Sequence, residues 1–320
     1  MRKIILYFSL ITLNARAFSQ PKDFEGVLTF KVQVTSKLPN FTDFLMARML
    51  ATSNRLTVYV KHGNYMRRST ACDEYYITSK QRVYMKFKSL DTLYYLDYNS
   101  DTSILQSVRK LDEVKMVAGH SCKVILITNS ESSHKLYYDT SLYQDPFYDR
   151  YNTIGSYNVY AKETSSIWLA DYQEGKNYIL QYECVKVESK PVEESVFDLP
   201  ALPIKKFSFE TVLKAPAFKR AGGWLKYLST TLNADLGAKY VKIPKNEKEA
   251  TQTVVVQFLV SENGAVTNAE VLNKKEVHPK LAEEALRVVS SSPPWTPGSV
   301  FGERIPQLYK QNITFSASKE

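Results

Sequence analysis

Between residues 24 and 188 the apolar positions fall in short runs with a two-residue period, separated by polar breaks. Residues 27–34, 56–60, 82–87, 92–96, 122–127 and 178–182 are the clearest. Alternation of this kind puts successive side chains on opposite faces of a strand. The region therefore predicts an antiparallel meander with one buried face, curved into an open half-barrel. Residues 41–52 depart from it. Phe41, Phe44, Leu45, Met49 and Leu50 recur at helical spacing, which predicts a helix across the mouth or concave face of the sheet. Residues 137–160, rich in Tyr, Asp and Asn, read as a long polar loop.

A different pattern begins after Pro200. Residues 201–214, with Pro203, Lys205, Lys206 and Lys214, read as a short linker. Gly222 and Gly223 then open a stretch in which Trp224, Leu225, Leu228 and Leu232 share one helical face, and this helix is expected to end before Gly237. Residues 253–260 and 266–272 alternate as strands. Asn263 and Gly264 between them signal a hairpin, because both residue types tolerate positive φ. His278 reads as the N-cap of a second helix, with Pro279 in the first turn where no hydrogen bond is lost, and with Leu281, Ala285, Val288 and Val289 facing inward. Pro293, Pro294, Trp295, Pro297 and Gly298 make a rigid turn, Trp295 filling core and Gly298 supplying permissive dihedrals. A last strand follows at 305–315. The fold class is α+β: a β-rich unit at 20–200, a linker at 201–214, and a small unit of two helices on a three-stranded antiparallel sheet at 215–320.

A chain of 320 residues is long enough for two such units, each with its own core. Its 22 Tyr suit half-buried strand surface. The net charge of +9 comes without a long basic run, which points to solvated surface and away from nucleic acid. At the N-terminus, Arg2 and Lys3 precede an apolar stretch at 4–13, with Ala15 and Ala17 beyond it, the layout of a signal peptide over 1–19 cleaved near 17–20. That stretch is about half of the ~20 residues a spanning helix needs. The expectation is a periplasmic protein, with an uncleaved inner-membrane anchor as the alternative. Cys72, Cys122 and Cys184 are too few for a disulfide framework. Export permits one pair, Cys122 with Cys184, and three buried unpaired thiols are the equal alternative.

Candidate chemistry is sparse. The chain has no H-E-x-x-H, no G-x-S-x-G, no P-loop and no dinucleotide fingerprint. His62, His120 and His134 sit at no metal-ligand spacing, and Gly119-His120-Ser121-Cys122 lacks the closing Gly of a nucleophile elbow. A non-enzyme without cofactor or metal is the expectation.

The C-terminal motifs occur in a recognisable order. They are Gly222-Gly223, Glu262-Asn263-Gly264 with Val266, His278-Pro279 with Leu281, Glu283, Glu284, Ala285 and Leu286, Pro294-Trp295 with Pro297-Gly298, and Gly302. Over about a hundred residues this resembles the TonB C-terminal domain family. The resemblance implies a compact module whose last strand is an open edge for an extended peptide of an envelope protein, in the family the TonB box of an outer-membrane transporter. It places the contact on Gln307, Leu308, Tyr309, Lys310, Gln311, Asn312, Ile313 and Thr314, with Arg304 and Lys310 adding charge. The family's Tyr-Pro dipeptide after the first helix is replaced here by Leu236-Gly237-Ala238-Lys239-Tyr240, and no long spacer or inner-membrane helix is evident, so binding alone is the expectation and a TonB-type energy transducer anchored by an uncleaved N-terminus is the alternative. More loosely, Phe24-Glu25-Gly26, the run from Val117 to Cys122, and Val196-Phe197-Asp198-Leu199-Pro200 resemble LolA/LolB-like exported β-rich domains. That likeness implies a half-barrel able to hold a lipid.

Overall fold

The computed structural model describes residues 21–38 and 41–319. The expected signal segment, 1–19, lies outside the described residues. Twelve strands form one large sheet: β1 (Gly26–Ser36), β2 (Arg55–Lys61), β3 (Asn64–Arg68), β4 (Cys72–Ile77), β5 (Arg82–Phe87), β6 (Leu93–Asp97), β7 (Leu105–Val117), β8 (His120–Asn129), β9 (Ser132–Tyr143), β10 (Ser166–Gly175), β11 (Tyr178–Ser189) and β12 (Ile204–Lys206). Their order is β12-β6-β5-β4-β3-β2-β1-β11-β10-β9-β8-β7. The chain meanders outward from β1 to β6, crosses to the far edge, and meanders back from β7 to β11, which pairs with β1 along its whole length. Among the described strands β7 and β12 do not pair with each other, so the sheet stays open.

Alternation sorts the sheet's side chains as expected. Leu28, Phe30, Val58 and Leu169 belong to the core on the inner face, whereas Val27, Tyr75, Tyr84 and Leu93 pack on the outer face under Val192 and Phe197. The stretch at 137–160 is not a loop throughout. Residues up to Tyr143 continue β9, where Leu136, Tyr137 and Tyr138 are buried, and α2 (Tyr157–Thr164) follows. Aromatic residues on a half-buried pleated surface stabilise strand, and this outweighs the local polarity. The helix expected near 41–52 exists as α1 (Asp43–Met49), capped by Thr42; Leu50, just past its end, packs against the inner-face core, but the apolar residues within the helix do not. Its Leu45 and Met49 pack instead against Phe87 and Phe301, and Phe44 is exposed beneath Arg48. Cys72, Cys122 and Cys184 are all buried and free. Burial pushes the Cys122 and Cys184 thiols up to about 11, consistent with inert core cysteines.

Residues 201–214 are ordered against both units. β12 adds to β6 as a parallel strand, α3 (Phe209–Val212) follows, and β13 (Leu213–Lys214) pairs with the small hairpin strands introduced below. The C-terminal unit runs α4 (Gly223–Thr231), α5 (Asp235–Tyr240), β14 (Glu249–Val260), β15 (Val266–Val271), α6 (Pro279–Ser290), β16 (Ser299–Val300), β17 (Glu303–Arg304) and β18 (Gln307–Ser318). The helical stretch expected to stop before Gly237 breaks at Leu232 and resumes as α5 through Gly237. A Cβ at Gly237 would collide with the Ser316 carbonyl oxygen, so glycine lets this short helix rest on β18. Leu225, expected inward, is 80% exposed; Tyr227 takes the buried position and donates to the Val288 carbonyl at 3.0 Å.

The two units share a core. β16 and β17 form a hairpin whose tip residues, Phe301 (φ +51°) and Gly302 (φ +82°), both occupy the left-handed region. That conformation is unfavourable for Phe and is held by packing. The Phe301 ring stacks on Phe87 of β5 at 4.3 Å, beside Cys72, Tyr94, Val212, Val300 and Ile305. Arg48 of α1 adds ion pairs to Glu262 (3.0 Å) and Glu303 (3.4 Å).

Candidate functional site

The sheet of the C-terminal unit has the order β15-β14-β18, so β18 is an edge. It pairs with β14 over twelve residues, from Glu249↔Ser318 to Val260↔Gln307. Its inward side chains include Tyr309, Gln311, Ile313, Phe315 and Ala317, the last three buried under the helices. Leu308, Lys310, Asn312 and Thr314 point to the open face, Leu308 being 63% exposed. Among the described residues, no backbone hydrogen bond joins residues 307–318 to any segment other than β14. The outward peptide groups between Leu308 and Thr314 are thus left open, whereas α5 lies against the outward Ser316 carbonyl.

Eight of the residues singled out in the sequence, Gln307 through Thr314, are brought together on this strand. Arg304 is not. It lies on β17, and its carbonyl accepts a hydrogen bond from Arg48 Nη1 at 2.7 Å, so its backbone is committed to the other unit. The Gln307 side-chain Nε2 donates to the Lys214 carbonyl at 3.2 Å.

The edge strand lies on a hydrophobic core. Trp295 is buried among Phe218, Trp224, Phe258 and Tyr309, ring centroids 5.3–5.5 Å away. The Asn263-Gly264 turn packs on that tryptophan, where a Cβ at Gly264 (φ +88°) would collide with the Trp295 carbonyl. Gly298 does not adopt a positive φ; a Cβ there would meet only the flexible end of the Gln307 side chain. His278 caps α6 as expected, its Nδ1 accepting from the Lys280 N–H at 3.2 Å.

A second site, which the sequence did not announce, lies on the inner face of the large sheet. A cavity of about 610 Å³ is lined by residues from β1, β2, β3, β4, β9, β10 and β11 and by the segment before α2. Strands this far apart in the sheet share one cavity because the face is concave. Its walls include Phe30, Tyr65, Tyr76, Trp168, Tyr178 and Tyr182. At one end His134 Nδ1 meets Asp171 Oδ2 at 3.1 Å, and His134 Nε2 meets Ser132 Oγ at 3.0 Å. Burial disfavours the imidazolium, but the adjacent Asp171 carboxylate overrides it, and the His134 pKa lies above its ordinary value. Elsewhere on the wall Arg67 pairs with Glu74 at 2.9 Å and lies over the Tyr182 ring. Behind the cavity, burial pushes the Asp149 carboxyl up to about 7. None of these groups carries a local motif. Ser132 and His134 are two apart on β9, but Asp171 comes from β10, so only pairing of the strands assembles the set.

No curated protein sequence matches the chain. Among twelve matching chains of solved structures are two described as PNGF-II, in P21 and C2 space groups. The first is 10% identical with a TM-score of 0.38, covering 92% of this chain and 66% of that one; the second is 11% identical with a TM-score of 0.33, covering 74% and 44%. The chain thus spans less than two thirds of either length, and likenesses so slight bear on neither fold nor activity. The family comparison is specific: residues 244–317, from the approach to β14 through most of β18, match the model described as the C-terminal domain of the Gram-negative bacterial TonB protein.

Proposed function

We propose that this is a non-catalytic envelope protein whose C-terminal unit captures an extended segment of a membrane or envelope partner by adding it as a strand beside β18. The observation that carries this reading is the stretch of edge at 307–314 without an outer backbone partner among the described residues, inside the segment that matches a TonB C-terminal model. Peptide addition at such an edge draws affinity from main-chain hydrogen bonds and specificity from alternate side chains. The partner of that chemistry is an extended segment of an outer-membrane transporter, met on the periplasmic side. Non-catalytic use is supported at the Ser132-His134-Asp171 series, where the N–H groups of Glu131 and Ser132 both donate to Asn129 Oδ1 (2.9 and 2.8 Å) and are not free to stabilise an oxyanion.

Photo-crosslinking of the full chain in cells tests the proposal, with the reactive side chain placed at Leu308 or Asn312 on the edge strand or at exposed Leu225 on α4. Crosslinks from 308 and 312 into an extended segment of an outer-membrane protein, absent from 225, are expected. Equal labelling from 225, or none from the edge, sinks it. The intact mass of the exported protein separates removal of residues 1–19 from a retained anchor.

A further inference from the structure

A surface around α4 of the C-terminal unit combines unpaired cations with a protruding leucine. Between residues 211 and 234 the chain carries Lys214, Lys219, Arg220 and Lys226 and no Asp or Glu. All four are exposed. The ion pairs that involve residues beyond 200 are Arg48 with Glu262 and Glu303, Lys206 with Asp97, Lys280 with Glu283 and Arg287 with Glu284, and they use none of the four. Like charges left without counter-charge make a local positive field.

The core turns this stretch outward. Phe218 lies 5.2 Å from Tyr227 and 5.4 Å from Trp295, and the Tyr227 hydroxyl reaches the Val288 carbonyl, so the inner side is fixed. Leu225 comes two residues before Tyr227, about 200° around the helix. It is 80% exposed, more than any other large hydrophobic side chain among the described residues. Half-buried Trp224 stands beside it, and Ala215, Ala217 and Ala221 are exposed on the same stretch.

We propose that this surface rests on an anionic phospholipid bilayer, a contact beyond the capture of a peptide at β18. Leu225 enters the acyl boundary, Trp224 lies at headgroup level, and the four cations meet lipid phosphates. A fluid interface receives an isolated leucine without a matched groove and meets cations at any spacing. An acidic protein would have to supply both a pocket for Leu225 and carboxylates in register. Because the Lys214 carbonyl holds Gln307 Nε2 at 3.2 Å, seating this stretch on a membrane keeps the start of β18 beside it.

Vesicle co-sedimentation of the full chain tests the proposal, with vesicles of phosphatidylcholine alone or of about three parts phosphatidylcholine to one of phosphatidylglycerol. Pelleting with the mixed vesicles, and not with phosphatidylcholine, is expected. Leu225→Ser, at an exposed position, lowers partitioning about tenfold. Leu225→Trp keeps it and shifts tryptophan emission to the blue on mixed vesicles only. Lys219→Glu with Arg220→Glu lowers it about twentyfold or more, at about fivefold per charge near an anionic surface. The same reversal at Lys274 and Lys275, on the turn between β15 and α6, lowers it much less. No pelleting with mixed vesicles, equal loss from the two reversals, or wild-type binding by Leu225→Ser overturns the proposal. Binding of poly-glutamate that Leu225→Ser weakens as much as vesicle binding assigns the surface to an acidic protein. A dimer in vesicle-free solution that Leu225→Ser dissolves assigns it to a second copy; either result also overturns the proposal.

Discussion

The interiors of the two units differ in kind. Every buried side-chain polar atom left without a partner among the described residues belongs to the large sheet and the segments covering it: Arg67, Asp73, Tyr98, Gln144, Asp149, Asn152, Tyr160 and Asp171. The C-terminal unit has none. Its one buried charged side chain, Glu284, receives two hydrogen bonds from Arg287 at 2.7 Å and the Asn233 N–H at 2.8 Å. Unsatisfied interior groups are costly, and Asp73, Tyr98, Gln144 and Asp149 lie off the cavity wall, so these groups mark a more polar interior and not by themselves a bound ligand. The C-terminal core is satisfied among the described residues, and its unpaired groups are those of the edge strand. The two units thus divide by how their interior polar groups are satisfied.

The severest test of that division is Ile313→Pro. It removes a backbone donor and core volume from the fully buried middle of β18 and is expected to cost on the order of 5 kcal/mol. Urea unfolding followed by hydrogen exchange should show the C-terminal unit lost while β1–β11 keep protection; joint loss would make the two interiors one cooperative unit. Phe301→Ala comes next, at about 3–5 kcal/mol, because it removes the aromatic tip from the shared core. Calorimetry should then resolve two transitions in place of a merged one.

Proton linkage sharpens the contrast, since the two interiors respond with opposite sign. Asp149 keeps its proton in the folded state up to about pH 7, whereas the unfolded chain gives it up near 3.8. The large sheet therefore loses stability as pH rises from about 4 to 7, by on the order of a few kcal/mol, and Asp149→Asn flattens that slope in urea melts. Glu284, hydrogen-bonded to Arg287, has its pKa lowered, so the C-terminal unit loses stability as pH falls below the ordinary glutamate value. Glu284→Gln removes that dependence. The smallest effect is Arg48→Ala, about 1 kcal/mol for a partly exposed clamp, measured as a modest drop in the temperature at which the units separate.

Much of the architecture was legible where local pattern and long-range packing agree. The two-residue period gave β1, β2, β5, β8 and β11; Asn263-Gly264 gave the hairpin; Pro279 and its inward Leu and Val gave α6. Misreadings occurred where tertiary contact overrides local preference. Gly237 looks like a helix stop and is instead a contact between α5 and β18. Leu225 shares the helical period and faces solvent, because Tyr227 has the hydroxyl that reaches Val288. For α1 the period showed that a helix forms but not which surface receives it. The edge strand was readable because all its residues are contiguous. The cavity was not, because His134 and Asp171 are 37 residues apart and Arg67 meets Tyr182 only through the curl of the sheet.

The Phe301-Gly302 tip has a mechanical consequence. A module on a slack tether would hand any tug on its captured peptide to the linker, and the rest of the chain would feel nothing until that linker was taut. Here β18 follows β17 after only Ile305 and Pro306, and β17 ends in a ring wedged into the large sheet, with β12 zipped to β6 on the same side. A pull on β18 would therefore be passed through the Phe301 ring to Phe87 of β5 with no slack between.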